Sequence, residues 1–203
     1  MNERLNDLRK KIKKVLTKER YEHTLGVMYT AGNLAMAHGE DIDKAMIAGV
    51  LHDCAKCYPE DEMLSLCKKH NVFLSEFEIN NHSLIHAKLG AALARDIYGI
   101  ESEEIISAIR KHTTGDKEMN LLDKIIYVAD YIEPYRGELP NIDGIRRIAF
   151  RDLDRAIFLI IDSSMAHLKE RGKVVDPATE EAYEVFRGLI NDRNNVRSTK
   201  IVV

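Results

Sequence analysis

The sequence predicts an all-α fold, and three observations support that prediction. Apolar residues recur at helical spacing along most of the 203 residues. Ser, Thr, Asp or Asn stands where the helices would begin, and Gly or Pro stands where several of them would end. No segment shows a convincing strand pattern. The length is sufficient for one domain with a substantial core.

The composition limits the classes of function. Hydrophobic residues make up 45% of the chain and charged residues 31%, which is typical of a globular protein. A net charge of −3 argues against broad nucleic-acid binding. The longest apolar run, residues 156–161, is far shorter than the roughly 18 residues of a membrane span, so we expect no membrane association. The charged N-terminus predicts no signal peptide, and three cysteines suit a reducing cytosol, so we expect a cytoplasmic protein.

The first two predicted helices bring one histidine beside one arginine. Residues 1–16 have apolar positions at helical spacing. Thr17 can cap a second helix that runs to about residue 38 and ends at Gly39. Arg20 and His23 are three residues apart on that helix and therefore share a face. This pairing favours a site that binds an anion near a metal.

The third predicted helix carries the most informative stretch of the chain. Asp41 opens this helix, an apolar run follows, and Pro59 ends it. Its polar end holds His52 and Asp53, whose directions diverge by about 100° because they are adjacent on a helix. Both can still reach an ion beside the helix, and imidazole with carboxylate suits a divalent transition metal. Lys56 stands one turn further on and can lean over the same ion.

The middle of the chain adds two more candidate histidines. A short helix is predicted over residues 61–70, and Ser75 begins a capping box for the next helix. His82 and His86 are four residues apart on one predicted helical face. We expect His86 to contact the site and His82 to lie at the surface or behind the site.

The next two predicted helices each deliver a polar group. Residues 102–111 form a helix that leads directly to His112 and Thr113, a suitable place to meet a ligand or to cap the helix. Residues 121–132 are strongly apolar but contain Asp130. A carboxylate within such a run is costly to bury unless it is paired or bound to a metal.

The C-terminal part predicts three helices. They cover residues 143–150, residues 153–168 and a segment that starts at Asp176-Pro177. We expect one domain over residues 1–190, followed by a loose tail over residues 191–203.

These residues resemble a known enzyme family. The pattern of His23, His52-Asp53 and Asp130 is similar to the ligand signature of the HD-domain metal-dependent phosphohydrolases. Longer stretches resemble the YqeK family of bacterial symmetrical diadenosine tetraphosphate hydrolases, over roughly residues 5–190. Those stretches are Arg20-Tyr21-Glu22-His23-Thr24, His52-Asp53 with Ala55-Lys56, His86-Ala87 with Gly90-Ala91, His112-Thr113-Thr114-Gly115, and Ala129-Asp130-Tyr131-Ile132-Glu133-Pro134 with Arg136.

The resemblance implies an HD-domain helical bundle with the C-terminal helices packed on it. It also implies a metal-dependent phosphoanhydride hydrolase that contains iron, as one or two ions, and yields two ADP. Manganese, cobalt and zinc suit the same ligands. The implied metal ligands are His23, His52, Asp53 and Asp130, and the implied catalytic pair is His52 and Asp53, with Asp53 also orienting the attacking water.

The resemblance further implies a substrate-binding set and a substrate class. His86 and His112 would bind phosphate oxygens or a second metal. The substrate is a small dinucleoside polyphosphate, and a homodimer is compatible with the family, although no surface stripe in the sequence argues for one. The full substrate-binding set comprises Arg20, His23, Asp53, Lys56, His86, His112, Thr113, Asp130 and Arg136.

Two other functions stay open from the residues alone. An HD phosphohydrolase could act on nucleoside monophosphates or another phosphate ester, because a fold does not fix its substrate. A nucleotide sensor could use the same pocket without turnover, although a degenerate site would be expected to lack one of the His-Asp set. Product analysis would separate the first alternative, and an absence of turnover would identify the second.

Overall fold

The computed structural model describes residues 3–137, 139 and 141–199, with side chains as far as residue 193. Within these residues the regular structure is helical and contains no strand, which confirms the all-α prediction. No helix among them is long and apolar enough to cross a membrane. The α-helices of the described residues are α1 (Glu3–Val15), α2 (Lys18–His38), α3 (Ile42–Leu51), α4 (Glu60–Lys69), α5 (Glu76–Asn80), α6 (Ile85–Asp96), α7 (Glu103–Lys111), α8 (Leu121–Ile132), α9 (Ile142–Ala149), α10 (Leu153–Glu170) and α11 (Pro177–Thr199). A 3₁₀ turn, His82–Leu84, precedes α6.

The core forms around α2, which packs chiefly on α3 and α8. Val27 and Met28 of α2, Val50 of α3 and Ile125 of α8 are fully buried. Burial of each such side chain stabilises the fold by about 1.5–3 kcal/mol. Gly49 lets α3 approach α2 closely, because a Cβ atom there would lie 2.8 Å from the Cα atom of Met28. This close approach places the end of α3 beside the first turns of α2.

The third helix ends earlier than the sequence predicts. The α-helix stops at Leu51, and residues 52–58 form consecutive turns instead of continuing to Pro59. The backbone N–H groups of Cys54 and Lys56 donate to carbonyls three residues back, which is the tighter turn geometry. His52 is therefore the C-cap of the helix, and Asp53 lies in the turns beyond it.

The last two helices pack against each other, and α10 also contacts α8. The last helix continues to Thr199, so the predicted start of a loose tail at Asn191 falls inside α11, and residues 200–203 lie outside the described residues. Arg193 forms ion pairs with Asp152 and Asp154, next to the start of α10. Asp154 also accepts a hydrogen bond of 2.7 Å from Lys124 of α8. These pairings join Arg193 to the start of α10 and, through Asp154, to α8.

Candidate metal centre

The first ligand cluster lies where α2, the end of α3 and α8 meet. It comprises His23 from α2, His52 from the end of α3, Asp130 from α8 and the Oδ2 atom of Asp53. The Nε2 atoms of His23 and His52 are 3.3 Å apart. Asp130 Oδ1 lies 3.1 Å from His23 Nε2 and 3.7 Å from His52 Nε2. Asp53 Oδ2 is 3.5 Å from His52 Nε2. His23, His52 and Asp130 lie close enough to one another to hold one ion, and Asp53 lies beside them.

A second ligand cluster adjoins the first and shares Asp53 with it. It comprises His86 from α6, His112 from the end of α7 and the Oδ1 atom of Asp53. The two histidine Nε2 atoms are 3.2 Å apart, and Asp53 Oδ1 lies 3.4 Å from His86 and 3.6 Å from His112. Thr113 Oγ1 is 3.1 Å from both Nε2 atoms. The two oxygens of Asp53 therefore face different clusters.

All four histidines have the same orientation toward the centre. In each ring the Nδ1 atom lies within hydrogen-bond distance of an oxygen that can only accept. Nδ1 must therefore carry the proton, so Nε2 presents a lone pair to the centre when the ring is neutral. The acceptors are Glu133 Oε1 for His23, Gly49 O for His52, Ser83 O for His86 and Ile109 O for His112.

This arrangement fits divalent cations. Two pairs of facing Nε2 lone pairs, at 3.3 Å and 3.2 Å, repel each other unless a proton or a cation lies between them. Asp130 Oδ1 is buried and lies 3.1 Å from His23 Nε2, which can donate to it only when that ring is protonated. Imidazole and carboxylate ligands suit iron, manganese, cobalt or zinc. The residues present therefore match a site for one or two divalent transition metals.

The carboxylates and His86 are in the ionisation state that metal ligation requires. Burial alone would raise the pKa of Asp53, but His52 and His112 hold it well below its usual value. Burial alone would also raise the pKa of Asp130, but the hydrogen bond from His23 and the charge of His52 lower it. Burial, together with the positive charge of His112, lowers the pKa of His86 to about 3. The two aspartates are thus charged and His86 is neutral at neutral pH.

Two other histidines would release protons on metal binding. Burial alone would lower the pKa of His23, but the hydrogen bond and charge of Asp130 raise it. Burial alone would also lower the pKa of His112, but the hydrogen bond and charge of Asp53 raise it. Because a histidine ligand must be deprotonated, metal binding and protons compete at these rings.

Three cations surround the first cluster. Arg20 Nη1 contacts Asp53 Oδ2 at 2.9 Å, and Arg136 Nη2 lies 3.4 Å from Asp130. Lys56 is half-buried, and burial lowers its pKa despite the attraction of Asp53. It forms no ion pair with any described residue. Arg20, His23 and Arg136 also line an open cavity of about 470 Å³, so anions can approach the cluster from that side.

The comparisons with known proteins agree with this geometry. A family model described as HD domain matches residues 20–135, a range that contains both clusters and two of the three cations, Arg20 and Lys56. This chain belongs to the HD-domain family. It is 41% identical over 172 residues to the symmetrical bis(5'-nucleosyl)-tetraphosphatase of Bacillus subtilis, covering 85% of this chain and 91% of the relative. It is 40% identical over 174 residues to the protein of the same name from Halalkalibacterium halodurans, with the same coverage.

A solved structure gives the same result. A crystal structure from Clostridium acetobutylicum, described as a predicted HD superfamily hydrolase involved in NAD metabolism, superposes with a TM-score of 0.86 at 38% identity. The match covers 90% of this chain and 96% of that one. The predicted resemblance to HD-domain phosphohydrolases and to the symmetrical tetraphosphatases is thus confirmed.

The structure brings the predicted ligands of the HD-domain site together, but two of them lie on different elements from those expected. His52 caps α3 and Asp53 lies in a turn, whereas His112 caps α7 at the helix exit where the sequence placed it. His82 lies outside both clusters, 3.4 Å from Glu60. It does not share a helical face with His86, because His82 belongs to the 3₁₀ turn.

Sequence reasoning gave no role to Glu133, which the structure places directly behind the first cluster. Its side chain is 1% exposed and accepts from His23 Nδ1 at 3.0 Å and from the Tyr135 backbone N–H at 2.7 Å. A Cβ atom at Gly26 would collide with this carboxylate, so Gly26 leaves it the necessary space. The available signal was a second carboxylate one helical turn after Asp130. Carboxylates that accept from a ligating histidine fix its tautomer and orientation.

Proposed function

We propose that this protein is a metal-dependent hydrolase that cleaves diadenosine tetraphosphate symmetrically to two ADP. The observation that carries the proposal is the pair of adjacent ligand clusters, bridged by one aspartate and flanked by cations. Such a centre matches a substrate with several negative charges in a row. The names of the relatives at 40–41% identity support the same substrate.

The proposed ligands follow from the two clusters. His23, His52, Asp53 and Asp130 would hold one ion, and Asp53, His86 and His112 would hold a second. Iron is our proposed metal, and manganese, cobalt or zinc would suit the same donors. The bound metal would supply an acidified water and a polarised phosphoryl oxygen.

The surrounding side chains would bind and orient the polyphosphate. Lys56 has no competing ion pair among the described residues, so its ammonium group is available to a phosphate oxygen. The planar guanidinium groups of Arg20 and Arg136 keep N–H donors beyond those used on the aspartates. Thr113 can hydrogen-bond an oxygen beside the second cluster. Together these donors offset the charge that grows on the phosphate oxygens as water attacks one of the two central phosphorus atoms and an ADP leaves.

We propose a cytoplasmic location, since an odd number of cysteines suits a reducing compartment. Nucleic acid is not a proposed partner, because the net charge is −3. A homodimer and a single domain over residues 1–190 stay predictions, and gel filtration with light scattering would measure the first.

The test is an assay of protein with known metal content, with the products separated by chromatography. We expect ADP as the only product, lost on chelation and in Asp130→Ala. The matched control is Asp61→Ala, which removes an exposed carboxylate on α4 and should keep full activity. AMP together with ATP would refute symmetrical cleavage. Inorganic phosphate from a nucleoside monophosphate would favour an esterase, and binding without turnover would favour a sensor.

A further inference from the structure

We propose that a cavity beside the second cluster binds the nucleoside of one half of the substrate, and that the C-terminal helices form its outer wall. This inference rests on the proposed function and deepens it. The cavity has a volume of about 160 Å³ and lies between the 3₁₀ turn, the ends of α5 and α7, α8, and the α10–α11 connection. The lining residues that matter here are Phe77, Asn81, Thr113, Tyr127, Ser164 and Leu168.

The cavity adjoins the second cluster at Thr113. Thr113 lines it and at the same time lies 3.1 Å from the Nε2 atoms of His86 and His112. Tyr127 lines it from α8, one turn before Asp130. A phosphate chain that crosses the second cluster therefore leads into this cavity, while its other end can lie in the cavity with Arg20 and Arg136. The two cavities therefore suit a substrate whose two halves extend in opposite directions from the scissile bond.

The lining suits a flat ring with a polar edge. A buried cavity of about 150 Å³ can accept benzene, so a volume of about 160 Å³ is adequate for a ring of a nucleobase. Phe77 and Leu168 offer apolar surface, and Asn81 and Ser164 offer donors and acceptors. Tyr127 is only 6% exposed and adds an aromatic side chain to the lining.

The charges argue against a second phosphate site here. Only one cation, Lys173, lines this cavity, and the carboxylate of Asp176 lines it too. The arginines of the site line the other cavity. Ser164, Leu168 and Lys173 also lie beyond residue 135, where the HD-domain match ends. Helices outside the matched region would thus select the nucleoside, while the HD-domain residues bind metal and phosphate.

The experiment compares ADP with inorganic pyrophosphate, using calorimetry on the full, metal-loaded chain. Ser164→Leu and Leu168→Phe add bulk from α10 into the cavity. Ala166→Leu adds similar bulk to the exposed face of the same helix and is the control. We expect wild type and control to bind ADP at least tenfold more tightly than pyrophosphate. Both cavity variants should lose at least tenfold in ADP affinity and change pyrophosphate affinity by less than twofold.

Two results would overturn the inference. ADP that binds wild type no better than pyrophosphate would mean that no nucleoside is recognised. ADP affinity that is equal in Leu168→Phe and the control would place the nucleoside elsewhere, and this holds even if Ser164→Leu fails to fold. Turnover of diadenosine tetraphosphate, measured on the same wild-type preparation, reports separately on the proposed function.

Discussion

The close contact between α2 and α3 makes Gly49→Ala a sharp test of how the centre is held. A Cβ atom at this position would lie 2.8 Å from Met28 Cα and 3.2 Å from Met28 N, whereas ordinary contact begins at 3.4 Å. Because both contacted atoms belong to the backbone, no rotamer change can relieve the clash. The two helices must separate by about 0.6 Å, and they carry His23 and His52.

The expected loss of stability is about 2 kcal/mol. Overpacking costs about 1–3 kcal/mol, with the upper end expected where backbone blocks the way, and the better helix propensity of alanine returns about 0.5–1 kcal/mol. For a chain of this length the melting temperature should fall by about 4–8 °C. Metal–ligand distances tolerate only about 0.2 Å, so the affinity for metal should also fall, by about 10–100-fold.

Thermal unfolding of the metal-free protein and a metal titration measure the two effects. The control is Gly188→Ala in α11, where an added Cβ atom meets nothing within 4 Å. The free energy of unfolding of this control should rise by about 0.5–1 kcal/mol, and the control should bind metal as wild type does. If Gly49→Ala unfolds at the wild-type temperature and keeps the wild-type metal affinity, the account of the α2–α3 contact is refuted.

Three further predictions follow from the surroundings of the centre. Glu133→Gln should weaken metal binding by about 10–100-fold, because the amide binds His23 less strongly; unchanged affinity in a metal titration would contradict this. Burial opposes ionisation of Asp154, but its lysine and arginine partners hold its pKa below the usual value. Its contribution to stability is therefore complete above about pH 4 and is lost as pH falls through the lowered pKa. The stability gap between wild type and Asp154→Asn, from urea unfolding, should be widest at neutral pH and close in acid; a constant gap would refute the pairing. Burial raises the thiol pKa values of Cys54 and Cys67, so both should resist a thiol reagent at pH 8 until the protein unfolds, and rapid labelling of either in the native protein would disprove this.

Much of the fold could be predicted because helix signals are local. Thr17 caps α2 through a hydrogen bond from the Arg20 backbone N–H, and Gly39 ends that helix with a left-handed φ of 77°. Ser75 forms the predicted capping box with Glu78. Each signal involves residues three to five apart, so the sequence displays it directly. The candidate ligands were equally visible, because a carboxylate such as Asp130 is conspicuous in an apolar run.

The end of α3 and the length of α11 could not be read in the same way. The pattern from Asp41 to Pro59 permits a continuous helix, but the α-helix ends at Leu51 and tighter turns follow it. The polar composition after Asn191 is typical of a tail. The structure continues α11 through this segment, where Arg193 forms ion pairs with residues about forty positions away at the start of α10.

The sequence by itself determined the helical class, most helix boundaries and the residue types that could bind metal and phosphate. Only the tertiary structure decided that Asp53 divides its two oxygens between two clusters and that Glu133 stands behind His23, 110 residues away in the chain. The physical reason is distance: periodicity and capping act within a few residues. The direction of an imidazole or carboxylate toward an ion depends on how closely α2, α3 and α8 pack.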